Sequence, residues 1–220
     1  MTQTASPSFT VVDPRPIASD ARYTFFLPSE IEIAAIVVGD LVKLMFEYPH
    51  QTETWAAERM WVEVKSIDNG ALIGSLENVP DEPTSPLQKG DLVSFKSSDI
   101  LAISWANPAS APQPPEYREY WDRCLVDECV LEGEEPVEFI YREEPDMAQE
   151  GDKYPDSGWR VRGRMGNATD EEADARKLQY VAIGVVLNRD DSWLHLVDSP
   201  IGSAFMRNFE TGIYEVERSI

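Results

Sequence analysis

The sequence predicts an α+β architecture of two small domains, each a bent, mainly antiparallel sheet with one or two short helices. Three observations carry this: short runs with period-two apolar alternation, Gly and Asn turn chemistry between them, and one proline-rich break. The break runs from Asn107 to Pro115, with four prolines in nine residues. Proline fixes φ and removes a backbone donor, so this stretch joins neither a helix nor a central strand. The expected layout is a loose arm over 1–19, a first domain over 20–106, a linker over 107–115 and a second domain over 116–220.

In the first domain, Ser29 is placed to cap a short helix running to Ile36. Gly39-Asp40 opens a strand from Leu41 to Tyr48 in which Val42, Leu44, Phe46 and Tyr48 share a face. Met60 to Lys65 alternates likewise, and Asn69-Gly70 suits the positive φ angles of a hairpin turn into a return strand over Ala71 to Leu76. Gly90-Asp91-Leu92-Val93 repeats the Gly-Asp-Leu-Val of residues 39–42, the same strand-entry chemistry used twice.

For the second domain the reading is a short helix over Pro115 to Arg123 with proline in its first turn. Strands follow over Val126 to Leu131 and Val137 to Arg142, joined by a turn at Glu132-Gly133-Glu134-Glu135, and another over Gly158 to Gly163 with Trp159 and Val161 inward. Thr169-Asp170-Glu171-Glu172 is a capping box, predicting a helix to about Leu178. Tyr180 to Leu187 reads as a strand buried on both faces, and Asn188 to Asp191 as a turn into a strand over Trp193 to Val197.

Charge narrows the function classes. The chain of 220 residues has a formal net charge of −21. Nucleic-acid binding draws its affinity from Lys and Arg displacing counterions, and docking on anionic lipid needs the same residues, so neither partner is expected. Residues 1–110 hold 15 acidic and 7 basic side chains, and residues 111–220 hold 25 and 12. Segment 116–152 alone holds 14 acidic against 3 basic. Such a stretch is either a solvated face or a surface that docks on a basic protein. The opening Met1 to Pro7 has neither a basic start nor an apolar core of a secretory signal, and no run approaches a membrane span, so a cytosolic location is expected.

Chemistry has little to stand on. Ser157 lacks the Gly-x-Ser-x-Gly elbow, and with two histidines in the chain His195 would have to serve as base. Its place between Trp193 and Val197 fits a packed or surface histidine. Cys124 and Cys129 are not at zinc-knuckle spacing, and His50 and His195 are the only residues left to complete a soft metal set. No Ca²⁺ loop, phosphate cradle or dinucleotide fingerprint is present, so no cofactor, metal or catalytic residue is expected. Arg160, Arg162 and Arg164 share a strand face by period two, which serves either an anion site or pairing with Glu138, Glu143 or Glu144.

Two sets of motifs resemble known families. Gly39-Asp40-Leu41-Val42-Lys43-Leu44, Glu58 to Val64, Gly74 to Pro80 and Gly90-Asp91 together resemble the bacterial domain of unknown function 2314, over about 20–105. Asp99-Ile100 stands where that family usually ends in His-Ile, so any role for that histidine would be lost. Tyr141-Arg142-Glu143-Glu144-Pro145, Asp156 to Arg160 and Ser199 to Arg207 resemble domain of unknown function 2185, also described as immunity protein family 33, over about 117–216. The second resemblance implies a place among proteins predicted to neutralise toxins, and neither family brings a catalytic residue to carry over. The expected function is therefore an immunity-type inhibitor, not an enzyme, that binds a basic protein such as a toxin. Its expected contact residues are Tyr117, Tyr120, Trp121, Glu134, Glu135, Glu143, Glu144, Tyr154, Asp156, Ser157 and Trp159. The alternatives are a small-ligand or enzymatic module using Arg160, Arg162 and His195, and a structural or regulatory scaffold.

Overall fold

The computed structural model describes residues 8–49, 51–68 and 70–217. The chain forms two compact units, one running to Asp20 and over Phe25–Tyr117, the other combining Ala21–Thr24 with Arg118 onward.

The first unit is built on a six-stranded antiparallel sheet: β1 (Thr10–Val11), β2 (Leu41–Glu47), β3 (Ala57–Asp68), β4 (Ala71–Leu76) and β5 (Leu92–Lys96) lie in that order, and β6 (Ala102–Ser104) pairs with the start of β2. Alternation along the sequence becomes alternation in burial: Val42, Leu44 and Phe46 from β2 meet Met60, Val62 and Val64 from β3 in one core, and the residues between them are more exposed. β1 falls within the segment read as a loose arm; Thr10 pairs with Glu47 and Val11 with Phe46, and α1 (Arg15–Asp20) follows. Residues 1–7 of that arm lie outside the described residues. So does Asn69 of the hairpin turn; Gly70 has φ +84°, and Asp68 pairs with Ala71 across it. Ser29 caps α2 (Glu30–Ala35) in a reciprocal box with Glu32. The repeated Gly-Asp entry is one device built twice. Gly39 and Gly90 take φ +98° and +96°, and the carboxylates of Asp40 and Asp91 each accept from a backbone N–H three residues back, Val37 and Gln88. Glycine is needed there because side-chain-bearing residues rarely hold such φ angles.

The second unit has a six-stranded sheet in the order β10-β7-β9-β8-β11-β12. Its strands are β7 (Arg123–Asp127), β8 (Val137–Arg142), β9 (Asp156–Gly163), β10 (Leu178–Ala182), β11 (Ala204–Arg207) and β12 (Tyr214–Val216). β7 and β9 run parallel, and the other neighbours are antiparallel. Three short helices accompany them: α3 (Glu128–Glu132), α4 (Asp170–Asp174) and α5 (Ile183–Leu187). Trp159 and Trp193, both fully buried, meet edge to face at the centre of the core with Val126, Ile140, Val161 and Val186.

Five predicted elements differ. Residues 115–122 form no helix, because the carbonyls of Tyr120 and Asp122 accept from Gly184 and Ile183 instead of from their own chain. The strand predicted over 126–131 stops at Asp127, whose carboxylate is drawn into the interior, and the apolar residues after it coil into α3, which ends at Gly133 with φ +75°. Tyr180 to Leu187 divides at Ala182 into β10 and α5; Ile183, Val186 and Leu187 reach the core at helical spacing. Trp193 to Val197 is a 3₁₀ turn, not a strand, and buries Trp193 and Val197 four residues apart. The Thr169 capping box forms as predicted, but its helix ends at Asp174.

Among the described residues no helix is long and apolar enough to cross a membrane.

Candidate functional site

The three stretches that carry the immunity-family resemblance meet at Arg142. This residue ends β8 opposite Trp159. Its backbone N–H donates to Ser203 O at 2.8 Å and its carbonyl accepts from Gly202 at 2.7 Å, so stretch 199–207 is stitched to it. Its side chain turns toward stretch 156–160: Nε donates to Ser157 O at 2.9 Å, Nη1 to Ser199 O at 2.7 Å, and the guanidinium lies 5.7 Å from the centre of the Trp159 ring. Trp159 is locked by its Nε1 donating to Val197 O. Gly158 makes the close approach possible. It has φ +82°, and a Cβ there would come within 2.1 Å of Glu143 O, so no other residue fits.

Beside this lies a cluster around Arg160, which is 3% exposed. Its Nη1 and Nη2 grip Asp156 at 3.0 Å each, Nη2 reaches Asp146 at 2.7 Å, and Nε donates to Glu143. Asp156 also accepts from the N–H groups of Gly158, Asp146 and Met147. Burial opposes the charge on Asp156, but Arg160 and these N–H donors outweigh it and hold the carboxyl below the usual range. Burial likewise opposes the Arg160 charge, and Asp156 and Glu143 more than offset it. The cluster therefore fastens the acidic loop after β8 to the start of β9.

The arginine row does not form an open anion site. Arg160 is saturated by carboxylates, of which Glu143 was one of the partners weighed from sequence. Arg162 Nε pairs with the fully buried Asp127 at 3.0 Å, shared with Arg176, and its Nη2 donates to Ala173 O. Arg164 falls beyond the strand and lies over the Phe209 ring, 4.5 Å from its centre. His195 is exposed, edge-on to Tyr214 at 6.3 Å, and neither Arg160 nor Arg162 is among its ring or hydrogen-bond contacts. The three residues of the enzymatic alternative are thus not brought together.

A cavity of about 280 Å³ opens over Arg142. Its walls include Tyr120, Trp121, Tyr154 and Trp159, and Trp121 stacks on Tyr154 with ring centres 5.9 Å apart. Glu119, Asp122 and an Arg118–Asp198 pair stand at its edge. The pair is bidentate, with bonds of 2.7 and 2.5 Å, and it lowers the carboxyl pKa of Asp198.

The expected contact residues divide accordingly. Glu134, Glu143 and Glu144 are exposed, and Glu135, Tyr120, Trp121 and Tyr154 are half-buried. Tyr117 is exposed and belongs to the first unit, where it stacks on Phe26 at 5.0 Å. Asp156, Ser157 and Trp159, expected among the contact residues, are instead buried. Each is held by internal bonds; Ser157 Oγ donates to Arg123 O at 2.6 Å and accepts from Trp159 N–H. Burial pushes the Cys124 thiol up to about 12, which makes it inert; both cysteines are free. Among the described residues no cluster of three His, Cys, Asp or Glu side chains is placed to hold a metal, and His50 lies outside them. Arg142 was missed from sequence. It stands in a quoted motif, but nothing in its spacing distinguishes it from Arg160, Arg162 and Arg164 that follow.

In class, the chain is a two-sheet α+β protein whose second unit holds the buried Arg160, the half-buried Arg142 and a small aromatic cavity. The model of the Immunity protein Imm33 domain matches residues 124–217, and that of an Uncharacterized protein conserved in bacteria (DUF2314) matches residues 21–107. The chain is similar to each over the half that its motifs indicate, and the first match spans all three stretches around Arg142. No curated protein and no solved structure matches the chain.

Proposed function

We propose that this chain is an immunity-type inhibitor that binds a basic partner protein in the cytosol, acting by occupying a surface and not by catalysis. The observation that carries the reading is the immunity-domain match over the unit that holds most of the acidic stretch 116–152. Glu132, Glu134, Glu144 and Glu150 are exposed there and form no ion pair among the described residues, so their charge is available to a partner. An acidic face of this kind raises the association rate with a basic protein by about tenfold to a thousandfold, in a salt-dependent way. Trp121 and Tyr154, half-buried and stacked, offer aromatic anchors next to it.

The test is affinity capture from the native lysate at low and high salt, followed by kinetics with the captured protein. Replacing Glu134, Glu144 and Glu150 with Gln spares Glu143, which Arg160 needs. This triple variant should slow association and flatten its salt dependence. A captured partner whose association rate and salt slope both stay at wild-type values would refute acidic docking.

A further inference from the structure

We propose that the cavity over Arg142 binds a small carboxylate attached to a flat ring, with Arg142 gripping the charge and the Trp121–Tyr154 stack holding the ring. This goes beyond partner binding and stands independently of it.

Arg142 is set apart by its counter-charge. Arg118, Arg123, Arg160, Arg162 and Arg176 each meet a carboxylate of the chain. Among the described residues no carboxylate lies within ion-pairing distance of Arg142. Its two hydrogen bonds go to the carbonyls of Ser157 and Ser199, so one Nη1 hydrogen and both Nη2 hydrogens are uncommitted. The guanidinium is half-buried and already immobilised by those bonds and by the Trp159 ring, so a ligand that pairs with it need not order a flexible side chain. This cation lines the cavity together with the aromatic stack.

Size and charge limit the occupant. About 280 Å³ lies just below the range of small-molecule sites, about 300 to 1,000 Å³, so a small ligand fits better than a nucleotide. Asp198 is committed to Arg118, but Glu119 and Asp122 repel excess negative charge. Among the described residues the Arg142 guanidinium is in ion-pairing distance of no carboxylate and feels Asp198 only through space, which favours a monoanion, while Glu119 and Asp122 in the same lining disfavour a phosphate dianion. The same chemistry is offered by a free aromatic acid and by a peptide ending in a free-carboxyl Phe.

The experiment titrates the full chain with phenylacetate, phenylacetamide, inorganic phosphate and Gly-Gly-Phe, read by tryptophan fluorescence and thermal shift. Phenylacetate should saturate with a Kd on the order of 0.1–1 mM. Phenylacetamide should bind at least tenfold more weakly and phosphate not at all. Tighter binding of Gly-Gly-Phe than of phenylacetate assigns the site to a peptide C-terminus, and the reverse assigns it to a free acid. Asp122→Asn, a change on an exposed side chain, should tighten carboxylate binding about threefold, and Arg142→Lys should weaken it at least tenfold. Equal binding of the acid and its amide overturns the proposal on the unmodified protein, whatever Arg142→Lys does to folding. Failure of both carboxylates to saturate overturns it as well.

Discussion

The two units solve the same problem, a buried carboxylate, with different donors. In the first unit Glu82 is almost fully buried and accepts from the N–H groups of Glu53, Thr54, Trp55 and Thr84 and from the Thr84 hydroxyl, with no cation among these partners. Asp40 is held the same way by Val37 and Ala106, and Asp99 by Lys96 N–H and the Ser98 hydroxyl. In the second unit Asp127 and Asp156 are held by arginines, with backbone N–H groups in support. Both arrangements satisfy the rule that a buried charge must be compensated. They differ in what the acid organises. Backbone donors pin a loop, as Glu82 pins 53–55 behind the exposed Trp55. Guanidinium groups tie strands and flaps to one another, as Arg160 ties the acidic loop to β9.

The largest effect should come from breaking the arginine device. Arg160→Met leaves Asp156 without its cation and should destabilise the protein by about 3 kcal/mol in urea unfolding. That is the low end for a broken buried pair, because Asp156 keeps three N–H donors. A loss below about 1 kcal/mol would mean that those N–H groups suffice, and the two units would not differ in kind.

Asp156→Asn should cost about 2 kcal/mol and change the pH profile. The folded-state pKa of Asp156 is lowered, so its contribution is complete above the ordinary carboxylate value of about 4 and lost as pH falls through the lowered value. The variant should therefore show a shallower decline of the urea midpoint as pH falls below about 4; an unchanged slope would assign the acid sensitivity elsewhere.

Glu82→Gln should have a smaller effect, insensitive to salt because no ion pair is broken, and it should speed amide exchange at Glu53, Thr54 and Trp55. Burial works against the Glu82 charge, but its backbone and Thr84 donors hold the carboxyl well below the usual range, so wild type loses this clamp only in strong acid. Protection of those three amides that survives the substitution would remove the clamp from the account. The smallest effects belong to the caps: Ser29→Ala and Thr169→Ala should each cost about 1 kcal/mol or less, measured by urea unfolding.

Legibility from sequence followed how local the cause was. β2, β4, β8 and the Ser29 and Thr169 caps rest on period, turn residues and side chains within three positions of the backbone they serve, and those were readable. Val126–Leu131 carries Asp127 and Glu128 among apolar residues and Tyr180–Leu187 is nearly continuous apolar, and neither pattern reveals whether the chain extends or coils. What decides is distant. Asp127 is claimed by Arg162 and Arg176, and Gly184 sits where a Cβ would come within 2.8 Å of Tyr23 O. The site was hidden for the same reason. Trp159 was readable as inward from its strand period, but the burial of Asp156 and Ser157 was not, because the partners that hold them, Arg160 and Arg123, are not marked as such by spacing. Arg142 stands out only once Arg118, Arg123, Arg160, Arg162 and Arg176 have each been matched to an acid.

The tetrapeptide Ala21–Thr24 imposes an order of events on synthesis. Tyr23 N–H donates to Asn188 and its hydroxyl to Asp191, residues 165 and 168 positions later, while Asn188 reaches back to Thr24. A ribosome that has completed the first unit has also released a strap whose anchorage does not yet exist. A protease cut in the proline-rich stretch 107–115 is consequently not a clean dissection, because a fragment beginning at residue 116 carries α5 and Asn188 without the strand of chain that closes over them. To be expressed alone, the second unit needs residues 21–24 returned to it, by circular permutation or as a separate peptide.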